Sequence, residues 1–165
     1  MVYSTQYPSP LGTLTLVCDE TGTALTGLWL AGQKYFLGRL AELPPTGEPP
    51  IFAQARGWLD RYFSGARPES GELPLSPEGS EFQRAVWEKL KDIPYGETVT
   101  YGDLAEALAR QGRKTSARAV GSAVGRNPIS IIIPCHRVVG SGRQLTGYAG
   151  GVARKEWLLR HEGAR

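Results

Sequence analysis

A cysteine and a histidine stand side by side in Pro134-Cys135-His136-Arg137-Val138, directly after the apolar run Ile131-Ile132-Ile133. The thiolate is the reactive form of cysteine, and a neighbouring imidazole helps to generate it. The pair therefore reads as a nucleophile and its base. The same residues also fit a small buried thiol that only packs. The surroundings bear on the choice. Between residues 107 and 155 there are nine basic residues (Arg110, Arg113, Lys114, Arg118, Arg126, Arg137, Arg143, Arg154 and Lys155) and no Asp or Glu. Such a window is either a solvated basic face or a positive field suited to a polyanion. It encloses the Cys-His pair, which favours nucleic acid.

The elements that must position this pair are legible as two modules. In the first, residues 2–7, 13–17 and 24–30 read as strands, separated by the turns Ser9-Pro10-Leu11-Gly12 and Glu20-Thr21-Gly22. Residues 51–63 place Phe52, Ala55, Leu59 and Phe63 at helical spacing. A Pro/Gly-rich stretch over 65–79 reads as a linker, so the domains are expected at 1–76 and 77–165. The second module opens on a capping box, Ser80-Glu81-Phe82-Gln83, followed by the apolar stripe Phe82, Val86 and Leu90. Ile93-Pro94-Tyr95-Gly96 stops that helix. Residues 99–101 are expected to be extended and 102–110 helical. Thr115 or Ser116 can cap a further helix to about Gly125. Helix, turn, helix inside a basic window fits a DNA-binding unit.

The last of these helices carries Ala117, Ala119, Gly121, Ser122, Ala123 and Gly125, nearly all small, with Arg118 the one long side chain in its first two turns. Small residues permit either close helix packing or close approach to a nucleic-acid groove. Residues 129–133 read as a buried strand or extended segment leading to Pro134 and Cys135, and the five glycines between 138 and 151 as a mobile or tightly turning loop near the thiol. Residues 153–159 read as a closing helix with Trp157 and Leu158 inward.

The bulk numbers narrow the class. One domain, or two small ones, fits 165 residues. The net charge of +3 divides unevenly, −2 over residues 1–76 and +5 over 77–165. No apolar run approaches the length of a bilayer span, and no secretory signal is expected. Two cysteines are too few for a disulfide framework, so a cytoplasmic, reducing setting is the default reading.

In its C-terminal half the chain resembles the O6-alkylguanine-DNA alkyltransferases, or methylated-DNA–protein-cysteine methyltransferases. The resemblance runs in order through Phe82-Gln83, Val86-Trp87, Ile93-Pro94-Tyr95-Gly96-Glu97-Thr98, Tyr101-Gly102, Ala117-Arg118-Ala119-Val120-Gly121, Asn127-Pro128, Ile133-Pro134-Cys135-His136-Arg137-Val138-Val139, Thr146-Gly147-Tyr148 and Lys155-Glu156-Trp157-Leu158-Leu159. It implies an α/β fold. A ribonuclease H-like module, with a three-stranded antiparallel sheet and a helix, precedes a mainly helical, winged-helix-like module. It also implies a function: O6-alkylguanine is flipped out of duplex DNA and its alkyl group passes irreversibly to Cys135, once per molecule.

The resemblance assigns roles residue by residue. A water would link the Cys135 thiol to His136, and Glu162 would orient that histidine, in a relay that lowers the thiol pKa. Arg118 would fill the gap left by the flipped base. Tyr101 would crowd the nucleotide's phosphate and donate toward guanine N3. Asn127 would tie the helix-turn-helix to the active-site loop. Ala117, Ala119, Gly121 and Ser122 would meet the minor groove. Val138, Tyr148, Ala149 and Gly150 would line the base pocket, with Ala149 where some relatives carry serine. No cofactor and no metal is implied, since Cys18 stands without histidines in the first module. Cys18 reads as an inert strand-end residue over a second acceptor thiol. A monomer is expected in solution. The alternatives are a noncatalytic winged-helix protein that binds damaged DNA, which in this family lacks the motif cysteine, and a Cys-His hydrolase.

Overall fold

The computed structural model describes residues 2–165, and the chain forms two compact units. In the first, β1 (Ser4–Ser9), β2 (Gly12–Cys18) and β3 (Leu25–Leu30) pair antiparallel in the order β1-β2-β3. Pro10 and Leu11 form the two-residue turn between β1 and β2, where Ser9 pairs with Gly12 and Gly12 takes a φ of 100°. That conformation is open to glycine and strained for most other residues. Cys18 ends β2 and is buried, with its thiol 3.7 Å from Tyr3 O.

Helix α1 (Pro50–Phe63) begins on a proline, whose fixed φ suits the first helical position. It buries Ile51, Phe52, Ala55, Trp58, Leu59 and Tyr62, which recur every three or four residues and so share one face. Each such side chain contributes about 1.5–3 kcal/mol on burial. Trp58 stacks on Tyr62 at 5.5 Å and donates to Glu69 O at 2.9 Å.

The first unit runs to Glu78 but also takes in Pro128–Ile132. The sequence pattern places 128–132 with the second module; hydrogen bonding explains the difference. Leu28 N donates to Pro128 O at 2.8 Å, and Ser130 N donates to Leu28 O at 2.9 Å. The segment is not the strand that its apolar run suggests. Only Ile129 bridges to β3, and the chain then turns sharply at Ile131, whose φ is 71°. For a buried β-branched residue this conformation costs about 1–3 kcal/mol and persists only where neighbours enforce it.

The second unit holds Gly79–Asn127 and Ile133–Arg165. Helix α2 (Glu81–Leu90) starts on the expected capping box: Gln83 N donates to Ser80 Oγ at 3.1 Å, and Ser80 N donates to Gln83 Oε1 at 3.0 Å. Strand β4 (Val99–Thr100) leads into α3 (Tyr101–Arg110), and Thr100 and Asp103 form a second capping box. That box draws Tyr101 into the first turn, one residue earlier than the apolar spacing suggests. Ser116 caps α4 (Ala117–Gly125), accepting from Ala119 N at 3.1 Å. Trp87 of α2 donates to Ala123 O of α4 at 2.8 Å, joining the first helix to the helix-turn-helix made by α3 and α4. Strand β5 (Val138–Val139) lies parallel to β4. Helix α5 (Val152–His161) ends the chain, longer than the predicted 153–159. Trp157 is only half-buried and stacks on His161 at 4.9 Å, while Lys155 is buried beside Leu158 and Leu159.

Among the described residues no helix is long and apolar enough to cross a membrane, and no group of three or more His, Cys, Asp or Glu could hold a metal ion.

Candidate active site

Two short turns bring Cys135 into place. Cys135 N donates to Ile133 O at 2.8 Å around Pro134 (φ −80°, ψ 64°), an inverse γ-turn. A 3-10 turn over Cys135–Arg137 follows and ends in β5. Asn127, 3% exposed, donates from Nδ2 to the same Ile133 carbonyl at 2.9 Å and reaches the thiol as well. The end of α4 is thereby tied to the residue pair before the cysteine. Burial pushes the Cys135 thiol above its ordinary value, and Asn127, Lys155 and Tyr148 offset that only in part. Burial thus works against the expected lowering of the thiol pKa by the relay.

His136 is fully buried. Its Nε2 lies 2.7 Å from Glu162 Oε2, so the ring donates Nε2–H to the carboxylate and Nδ1 keeps its lone pair. Nδ1 is buried with no hydrogen-bond partner among the described residues. Burial lowers the His136 pKa against the pull of Glu162, leaving a neutral base. Glu162 is held in turn by Arg137, with Nε donating to Oε1 at 2.8 Å and an amino group donating to Oε2 at 3.1 Å. Burial opposes ionisation of this carboxyl, but His136 and Arg137 outweigh it and hold the group well below the usual carboxylate range. Gly96 lies against the same residue: its φ is 82°, and a Cβ there would sit 3.2 Å from Glu162 O. The stop of α2 at Ile93-Pro94-Tyr95-Gly96 thus doubles as a wall of the acid–base array, and Arg137 donates to Ile93 O at 2.7 Å.

A second group surrounds Lys155, which is 1% exposed. Its ammonium donates to Thr146 O at 3.0 Å and lies 6.0 Å from the centre of the Tyr101 ring. Burial pushes the Lys155 pKa down to about 8, against the attraction of Cys135. The Tyr101 hydroxyl donates to Thr146 O and Gly147 O, each at 3.4 Å, and burial raises its pKa so that the phenol stays protonated. Val138 is fully buried and Tyr148 nearly so, whereas Ala149 and Gly150 are half-buried in the turn before α5.

The predicted residues fall into two sets. Asn127 meets the turn that carries Cys135, His136 meets Glu162, and Tyr101 lies with Lys155 against Thr146 and Gly147. Ala117, Arg118, Ala119 and Ser122 are all exposed along α4, while Val120, Ala123 and Val124 face inward. The small residues therefore leave one open face with Arg118 standing on it. Gly121 is the exception, lying under Tyr101, where a Cβ would meet the ring at 3.6 Å. Arg137 and Lys155 are the residues that sequence reasoning passed over. A signal existed for Lys155, because 155, 158, 159 and 162 recur at helical spacing on the buried side.

Comparison with known proteins agrees from end to end. Residues 1–77 match the ribonuclease-like domain of 6-O-methylguanine DNA methyltransferase, and residues 81–164 match its DNA binding domain. A methylated-DNA–protein-cysteine methyltransferase of Mycobacterium leprae is 46% identical over 163 residues, covering 98% of this chain and 93% of the relative. The Haemophilus influenzae protein of that name is 43% identical over 161 residues, covering 98% and 86%. The crystal structure of Mycobacterium tuberculosis OGT in complex with DNA superposes with a TM-score of 0.83 at 41% identity, covering 98% of this chain and 93% of that one. Matches to both of its domains over residues 1–77 and 81–164, with relatives 43% and 46% identical over 98% of the chain, place it in the 6-O-methylguanine DNA methyltransferase family.

Proposed function

We propose that this protein repairs O6-alkylguanine in duplex DNA by displacing guanine from the alkyl carbon with its own Cys135. A carbon–sulfur bond forms, the carbon–O6 bond breaks, and guanine leaves with a proton. The thioether has no easy leaving group, so each molecule acts once. The carrying observation is the buried array Cys135, Asn127, His136, Glu162 and Arg137, in which a neutral imidazole is backed by a carboxylate that stays ionised.

The roles follow from the chemistry. The thiol rests protonated, which protects it until substrate arrives. On reaction its proton passes through a bridging water to His136 Nδ1, and the resulting imidazolium is stabilised by Glu162. Arg137 keeps Glu162 charged. The Lys155 ammonium favours the developing thiolate. Tyr101, held as a neutral phenol, can donate toward the departing guanine. The exposed face of α4 meets the minor groove through Ala117, Ala119 and Ser122, with Gly121 beside Tyr101 at its edge. Arg118 enters the stack in place of the flipped base. Val138, Tyr148, Ala149 and Gly150 surround that base. Residues 77–165 carry this chemistry, without cofactor, in a monomer working in the reducing cytoplasm.

The test is intact mass after incubation with a duplex containing O6-methylguanine. The expected result is one added methylene mass on the wild-type protein, stoichiometric with repaired DNA and absent in Cys135→Ala. Binding without any mass change would instead support the noncatalytic damage-binding reading.

A further inference from the structure

The first unit has a polar cluster that the transfer reaction leaves unassigned. Ser70, 9% exposed, donates from Oγ to Ile132 O at 2.5 Å. Gln33, 6% exposed, accepts at Oε1 from Leu30 N at 2.7 Å and from Ser130 Oγ at 3.2 Å. Both side chains hold the same short stretch, which runs through Ile131 at its positive φ. Within it Ile132 N donates to Ser130 O at 2.8 Å, closing a three-residue ring around Ile131. That is the strained γ-turn, rare because it forces a side chain into the left-handed region.

The next ring of this kind is centred on Pro134 and ends at Cys135. Two consecutive tight turns thus separate Ser130 from the Cys135 sulfur. In this path Ile132 O accepts from the Ser70 hydroxyl and Ile133 O from the Asn127 amide. A backbone turn that is unfavourable by itself relaxes when its restraints go, and the displacement passes along the chain. Placement errors of about an ångström at a reacting atom are enough to slow a displacement.

We infer that Ser70 is a positioning residue for alkyl transfer: its hydroxyl locks the Ile131 turn and thereby sets where the chain delivers Cys135. The inference rests on Cys135 being the acceptor. Gln33 supports the same turn from its other side through Ser130.

The test compares wild type, Ser70→Ala, Ser70→Thr and Gln33→Met in single-turnover transfer from O6-methylguanine duplex and from free O6-alkylguanine base. Affinity for undamaged duplex and thermal midpoint are measured in parallel. The expected result for Ser70→Ala is a fall of at least about tenfold in the transfer rate constant on both substrates, or 1.4 kcal/mol. Duplex affinity stays at the wild-type value, and Ser70→Thr, which keeps the hydroxyl, restores the rate to within about threefold. A merely structural role would lower the fraction of reactive protein and leave the rate constant of the folded fraction unchanged; that result overturns the inference. Should Ser70→Ala fail to fold, Gln33→Met decides by the same readouts. Failure of wild type itself to accept the alkyl group would instead sink the acceptor assignment, and Cys135→Ala separates the two cases.

Discussion

Glu162→Gln keeps the shape of a buried side chain and removes the one negative charge between His136 and Arg137. The carboxylate lies 2.7 Å from His136 Nε2 and 2.8 and 3.1 Å from two Arg137 nitrogens, and its side chain has no exposure. In the variant, Arg137 retains a guanidinium with only 8% of its side chain exposed and no counter-charge. Removing one partner of such a pair costs about 3–5 kcal/mol. A domain holds about 5–15 kcal/mol in total, so the variant folds with a clearly reduced urea midpoint. The chemistry suffers separately, because His136 loses the group that fixes its tautomer and stabilises its imidazolium. Positioned acid–base groups contribute about 10²–10⁴ in rate, so transfer slows by at least about 100-fold.

The double variant Arg137→Met/Glu162→Gln separates the two effects. It removes the orphaned cation and recovers most of the lost stability. The recovery is incomplete, since Ile93 O loses its donor at a cost of about 1–3 kcal/mol. Transfer stays slow. Rapid-quench single turnovers and urea unfolding followed by tryptophan fluorescence read both quantities. Wild-type transfer in Glu162→Gln would refute the relay, and a double variant no more stable than the single would refute the charge-pair argument. Acid gives an independent check. The folded Glu162 pKa is depressed below its ordinary 4.5, so its contribution to stability is full above that pH and is lost as pH falls below it. Glu162→Gln lacks that part of the acid sensitivity.

Two further outcomes are expected. In Arg118→Ala, repair of duplex slows about 100-fold more than reaction with free alkylguanine base, because only the duplex must be opened; equal losses on the two substrates would remove Arg118 from base extrusion. Lys155→Met slows transfer at least about tenfold at pH 7, and the gap from wild type narrows above pH 8, where the wild-type amine loses its proton. A gap independent of pH, in rate profiles from pH 6.5 to 9.5, would show that the charge contributes nothing.

Much of the local structure was readable in the chain. Ser80 with Gln83 announces one helix start and Thr115 or Ser116 another, of which the structure uses Ser116, because capping depends on neighbours three residues apart. The turn at Ser9-Pro10-Leu11-Gly12 announces a hairpin for the same reason. Residues 129–133 misled, since a short apolar run has the same pattern in a buried strand as in a buried turn. Ser70, Gln33 and Leu28 enforce the turn, and they lie 62, 97 and about 100 residues away along the chain.

The family is written in ordered blocks of residue types, so the chain alone specified it and, through that resemblance, named Cys135, His136 and Arg118 as candidates. The ionisation of those groups was not. A thiol beside an imidazole promises a low pKa, yet burial raises that of Cys135, and only the folded environment sets that balance. Arg137 reads as one more basic residue until it is found holding Glu162, and Lys155 as a surface charge until it is found buried. Desolvation and pairing arise from groups far apart in sequence and near in space. Local spacing therefore names candidate residues, while their charge state and aim come from tertiary packing.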